Sequence, residues 1–187
     1  NPNNVTYQEM LNSLNEVQQD KNNVNDMVLN YTNKPSGYYP IAMTEFNSKT
    51  GEREISMANA IFIAQALAEQ IKNGFAASIL WSFQNGLDSY GGDHGMTARN
   101  SPVLADHSPR PVFYIYHFLQ QFMGDRMVWS YSSDLSVKSY ASTFNSGARG
   151  VVLVNNSSNF KTVDLDFGID TMRYNYYWYE VYANNET

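Results

Sequence analysis

The hydrophobic period changes once along this chain, near residue 125, and that change limits what it can fold into. Before it, apolar residues recur at helical spacing in three stretches separated by two short apolar runs. After it, short strand-like segments alternate with Asn, Ser and Gly turns. The first helical stretch covers 5–30. Thr6 and Glu9 form a capping-box pair at its start, followed by Tyr7, Leu11, Leu14, Val17, Val24 and Met27 or Val28. The polar run Asp20-Lys21-Asn22-Asn23 predicts a break in its middle. A second helix starts at an N-cap, Ser56, with Met57, Ala60, Ile61, Ala64, Leu67 and Ile71 on one face, and ends near Lys72 and Gly74. A third opens with Pro111, carries Val112, Ile115, Leu119 and Phe122, and ends at Gly124.

Ile41 to Thr44 and Ala76 to Phe83 are the two apolar runs. Each is short and bounded by turn signals, as a buried parallel strand would be. A long Gly-rich loop, Gln84 to Arg110, follows the second. Past the change of period, Met127–Ser132, Val137–Phe144, Gly150–Asn155, Thr162–Phe167 and Tyr174–Tyr182 read as strands of an antiparallel sheet or sandwich, and Asn155-Asn156-Ser157 as a solvated loop. The fold class is thus α/β plus all-β, with an α/β part over 1–125 and a β-sandwich part over 126–187. A complete eight-stranded α/β barrel needs about 250 residues, so 187 residues exclude a whole one.

Composition removes several functions. Twelve Lys and Arg against eighteen Asp and Glu give a net charge of −6 with no basic cluster, which does not suit nucleic acid. No apolar run approaches the ~18 residues of a membrane span. The absence of cysteine excludes a thiolate nucleophile and Cys-ligated metal. No Ser/His/Asp order, P-loop or G-x-G-x-x-G occurs. Asp88, Asp93 and His94 match no standard metal spacing, so neither a metal nor any other cofactor is expected. Asn1-Pro2-Asn3-Asn4 carries no initiator Met and reads as a mature or cut end. Fourteen Tyr, ten Phe and three Trp fit a protein that handles a flat-faced ligand such as a sugar, or simply fill a core.

In parallel α/β units, chemistry collects where strands end. The first strand ends Met43-Thr44-Glu45-Phe46-Asn47. A carboxylate there can be aimed as a nucleophile, or it can simply open a solvated loop. The second ends Leu80-Trp81-Ser82-Phe83-Gln84-Asn85. Trp81 offers an apolar face for sugar C–H groups, and Gln84 and Asn85 offer paired donors and acceptors for hydroxyls; the other reading of Trp81 is a plug at a barrel rim. In the Gly-rich loop, Asp93 and His94 can bind sugar hydroxyls or pin the loop to itself.

These residues carry a resemblance. Thr44-Glu45-Phe46-Asn47 resembles the end of strand seven, and Ile79-Leu80-Trp81-Ser82-Phe83 strand eight, of the retaining glycoside hydrolases of the large TIM-barrel clan, clan A. Pro109-Arg110-Pro111-Val112-Phe113-Tyr114 with Gly124-Asp125-Arg126 resembles their last barrel helix and the crossing into a C-terminal β-sandwich. Gly92-Asp93-His94-Gly95-Met96 and Tyr176-Tyr177-Trp178-Tyr179-Glu180 are most similar to β-agarase and β-porphyranase-like members.

The resemblance implies a secreted, periplasmic or cell-surface glycosidase of bacterial type acting on a polysaccharide. Glu45 matches the clan's nucleophile. Asn47, Trp81, Gln84, Asn85, Asp93 and His94 would bind substrate, and the Trp81–Ser82 peptide would be cis. Retaining hydrolysis also needs a second carboxyl about 5–5.5 Å from the first. In the clan it is the Glu of an Asn-Glu pair on strand four. Asn15-Glu16 lies in a helical stretch and Asn185-Glu186 in the tail, so that group is expected upstream, on an N-terminal barrel portion that completes the site. The chain alone should then hydrolyse nothing. A non-catalytic carbohydrate-binding or structural β-sandwich module, using Tyr176 to Tyr179, is the alternative.

Overall fold

A computed structural model describes residues 1–168 and 177–181. In chain order it contains α1 (Tyr7–Asn12), α2 (Val17–Thr32), β1 (Ala42–Phe46), α3 (Met57–Lys72), β2 (Ala77–Leu80), α4 (Pro111–Phe122), β3 (Arg126–Val128), β4 (Val137–Thr143) and β5 (Arg149–Asn155). Mixed helix and strand is thus the observed class, with two small sheets and no closed barrel among the described residues. No helix among them is long and apolar enough to cross a membrane.

The end signals behave as their chemistry dictates. Thr6 Oγ1 accepts from Glu9 N, while the Glu9 carboxylate accepts from Thr6 N at 2.7 Å. Ser56 caps α3, and Pro111 occupies the first turn of α4. The break in the first helical stretch comes earlier than its polar run implied. A 3-10 turn over Ser13–Glu16 separates α1 from α2, and Asp20–Asn23 stay inside α2. Asp20, Asn22 and Asn23 are exposed, and the Lys21 ammonium donates to Asn73 O and Gly74 O, so the polarity of the run costs the helix little.

β1 and β2 pair in parallel, joined by a 3-10 turn at Gly51–Ile55 and by α3. Helix α3 is the centre of the molecule. Its expected single apolar face is instead burial on nearly all sides, with Ala60, Ile63 and Ala68 at 0% exposure. One side packs with Met10, Val112, Phe46 and Leu80. The other, around Ala68, meets Tyr140, Val154 and Met127 of the antiparallel sheet. A helix between two layers cannot show one stripe. Its buried Gln65 is satisfied by a reciprocal amide pair with Asn156, at 3.0 and 2.9 Å, and Tyr7 Oη donates to the same Asn156 Oδ1. Asn156, placed by sequence in a solvated loop, is therefore a half-buried clamp.

The second sheet has the order β3-β4-β5, fully antiparallel. Thr162–Phe167, expected as a strand, is not one. Its alternation is real, but Val163, Leu165 and Phe167 are exposed, and among the described residues no strand pairs with this segment. Of the expected segment Tyr174–Tyr182, residues 174–176 and 182 lie outside the described residues. Its described part, 177–181, carries no strand, and Tyr179 stacks on Phe122 of α4 at 4.5 Å.

Candidate active site

The two parallel strands bring Glu45 and Trp81 to adjoining C-terminal ends. Met43 pairs with Ser78 and Phe46 with Leu80, so β1 spends three residue steps where β2 spends two. The extra residue is a β-bulge at Thr44-Glu45. It breaks the alternation of β1, so that Thr44 and Glu45 are both exposed between half-buried Met43 and Phe46. Phe46 holds the strand to the core, and its carbonyl accepts from Trp81 N at 3.1 Å. Trp81 is half exposed, at 48%. The Trp81–Ser82 peptide is cis. Only one face of these strands is covered by α3. The other face, with Ile79, Trp81 and Phe83, is open, which departs from the expectation of strands buried on both sides.

Beneath the strand ends lies a polar network that sequence reading did not anticipate. Asn47 Nδ2 donates to Trp81 O and to His94 O, while its Oδ1 accepts from Ser48 N and Asn59 Nδ2. Every hydrogen-bonding position of the amide nitrogen, and the oxygen, is used inside the protein. Asn47 is thus the tie between β1, β2 and the Gly-rich loop. Ser48 Oγ donates to Asn59 Oδ1 at 2.8 Å, and Asn59 Nδ2 donates to Glu54 O. Glu54, 1% exposed, accepts from Thr50 N and Gly51 N through Oε1.

His94 closes this network. Its Nε2 lies 3.0 Å from Ser48 O and 3.2 Å from Glu54 Oε2. Ser48 O takes the aligned hydrogen bond, which leaves Oε2 buried, close to the imidazole and without a hydrogen bond of its own. The carboxylate beside the ring raises the His94 pKa from its ordinary value, against the opposing effect of burial.

The glycines of the loop have a local reason. A Cβ on Gly92 would sit 2.4 Å from Glu54 Oε2, and one on Gly91 would sit 2.9 Å from Glu52 Cγ. The backbone therefore passes close to this chain's own carboxylates. Asp93 is likewise turned inward. At 1% exposure, its Oδ1 accepts from Gly86 N (3.0 Å) and Gly95 N (2.8 Å), and its Oδ2 pairs with Arg110 Nη2 at 2.7 Å. Of the two roles open to Asp93 in the sequence, the geometry favours pinning the loop over the sugar contact, because the carboxylate is buried with both oxygens bonded inside the protein. His94 is held in the same inward way, through both its ring and its backbone carbonyl.

Gln84 Nε2 donates to Ala98 O at 3.1 Å and lies 2.9 Å from His107 Nδ1. Asn85 remains exposed. The structure therefore leaves Glu45, Trp81 and Asn85 exposed to solvent, while Asn47, Asp93 and His94 are engaged in hydrogen bonds within the protein. Glu54, Asn59 and Arg110 were missed, because a charged or amide residue in a polar stretch carries no sequence mark of burial. Lys49 and Asp88 form an ion pair across the loop base at 2.7 Å, which raises the lysine pKa and lowers that of the aspartate. Among the described residues no group of three His, Asp or Glu side chains is gathered as a metal site would require. No protein-family model and no curated protein matches the chain.

Proposed function

We propose that this chain is the C-terminal part of a retaining glycosidase acting on a polysaccharide. In this reading β1 and β2 are strands seven and eight of a (β/α)8 barrel, and the antiparallel sheet belongs to a β-sandwich. Glu45 is the nucleophile. The observation that carries the reading is the bulge at Thr44-Glu45, which leaves a carboxylate exposed at the end of β1, paired in parallel with the strand whose end carries exposed Trp81. Bulges of this kind re-aim side chains next to active sites.

In this reading the roles divide among the strand-end residues. The Glu45 carboxylate attacks the anomeric carbon, forming a glycosyl-enzyme as the bond to the leaving oxygen breaks. A second carboxyl, from a strand outside this chain, protonates that oxygen and then takes a proton from the attacking water. Trp81 gives the sugar ring an apolar floor, and Asn85 reaches hydroxyls. Asn47 acts indirectly, by fixing the Trp81 carbonyl against the loop. Such a protein works on polysaccharide outside the cytoplasm.

The test is Glu45→Ala and Glu45→Gln in the longer protein that carries the preceding strands. Both should abolish turnover, and azide or formate should restore it to Glu45→Ala. Unchanged turnover in either variant overturns the assignment. The 187-residue chain by itself should hydrolyse nothing.

A further inference from the structure

One oxygen of Glu54 is left by the fold without a hydrogen bond. The side chain is 0% exposed, Oε1 accepts from Thr50 N and Gly51 N, and Oε2 faces the His94 ring, whose Nε2 is 3.2 Å away. A buried carboxylate in that position needs a compensating charge. The His94 side chain is 19% exposed, so it can exchange a proton with solvent. Its Nε2 is hydrogen-bonded to Ser48 O, an acceptor only, so Nε2 carries a hydrogen whether the ring is neutral or charged. Protonation at Nδ1 therefore changes the charge beside Glu54 and leaves that hydrogen bond in place. Lys49 opposes the charge on the ring and is itself paired with Asp88 at 2.7 Å. The contact with Glu54 outweighs it, and the His94 pKa is raised.

Two sets of contacts carry this charge to the strand ends. The backbone at Gly92 runs so close to Oε2 that a Cβ there would stand 2.4 Å from it. On that side the carboxylate cannot shift without displacing the loop. His94 O accepts from Ser82 N at 2.9 Å and from Asn47 Nδ2 at 3.2 Å, and the same Asn47 amide donates to Trp81 O. Both polar atoms of the peptide that follows Trp81 are thus held through Asn47 and His94. Asp93, paired with Arg110 and bonded to Gly86 N and Gly95 N, keeps the base of the loop fixed. A change at His94 is then a local shift and not an opening of the whole loop.

We infer that Glu54 and His94 form a protonation-dependent latch that positions Trp81 at the end of β2. With the imidazole charged, Glu54 is compensated and the loop is held against the strand. When the ring gives its proton to solvent, the buried carboxylate is left uncompensated, residues 92–94 shift, and Trp81 loses its fixed placement. The inference rests on the contacts beneath the strand ends and stands independently of the role of Glu45.

The 187-residue chain tests it, with Trp129 and Trp178 replaced by Phe so that Trp81 alone emits, and with circular dichroism as the check on folding. From about pH 5 to 9, a range that brackets histidine, Trp81 emission and its quenching by acrylamide should change in one reversible step. The midpoint should lie above the ordinary histidine value of about 6.5, with circular dichroism unchanged. The step should vanish in His94→Gln, and in Glu54→Gln its midpoint should fall by about one pH unit or more. It should persist in His107→Gln and His117→Gln. NMR of the unsubstituted chain gives a second reading should a variant fail to fold: the His94 ring and the Trp81 indole N–H should titrate with one midpoint. The inference is overturned if Trp81 emission stays flat over this range, or if the step coincides with a loss of circular dichroism. It is also overturned if the step survives in His94→Gln, if it is lost in His107→Gln instead, or if the two NMR midpoints differ.

Discussion

Arg110 and Asp93 form an ion pair at 1% exposure each, and removing the arginine should be among the costliest single changes in the chain. In Arg110→Met the aliphatic volume is largely kept, but the Asp93 carboxylate loses the guanidinium it is paired with. It still accepts from Gly86 N and Gly95 N, which hold it in place and prevent it from swinging out to water. Breaking a buried pair from one side costs about 3–5 kcal/mol. For a chain of this length that lowers the melting temperature by roughly 6–20 °C. Adding Asp93→Asn should then recover part of the loss. The amide oxygen can still accept from the two glycine N–H groups and no charge is buried, while the amide nitrogen faces an apolar side chain at about 1–3 kcal/mol. Thermal melts followed by circular dichroism read all three proteins at one pH. The reasoning is refuted if Arg110→Met melts with wild type, or if the double variant is less stable than Arg110→Met alone.

Two more outcomes follow from the support beneath the strand ends. The His94 pKa is raised in the folded chain, so its contribution to stability is fully present below the unfolded value of about 6.5 and is lost as pH rises through the folded value. Wild type should therefore lose more stability than His94→Gln between mildly acidic and mildly alkaline pH, as read by melts in matched buffers; parallel pH curves would remove the Glu54–His94 pair as a stabilising contact. Gly92→Ala would drive a methyl group to 2.4 Å from buried Glu54 Oε2 and 2.8 Å from Gly51 O. It should cost about 1–3 kcal/mol by overpacking, and a denaturant midpoint equal to that of wild type would show that the loop does not lie where the structure has it.

What could be read in the sequence was local. The helix ends at Thr6, Ser56 and Pro111 follow from single residues and their neighbours, and the two parallel strands follow from short apolar runs between turn signals. The change of period near residue 125 correctly separated a helix-and-strand part from an antiparallel part. It overcounted the strands, because alternation in Thr162–Phe167 says what a strand would look like without supplying the strand it must pair with.

The positions of the candidate residues Glu45, Trp81 and the loop were also legible, since strand ends and glycines mark them. What each side chain does was decided by the tertiary structure alone. No local pattern distinguishes an Asp that meets solvent from one that meets Arg110, which is 17 residues away. None shows that Gly92 is a glycine because Glu54 lies against it. The bulge at Thr44-Glu45 is a property of the register with β2, so it exists only once two separated segments pair. Sequence encodes propensity and periodicity, which act over a few residues. Burial, ion pairing and register are relations between distant segments, and they turned a list of polar residues into one exposed carboxylate, one open tryptophan and the network that holds them.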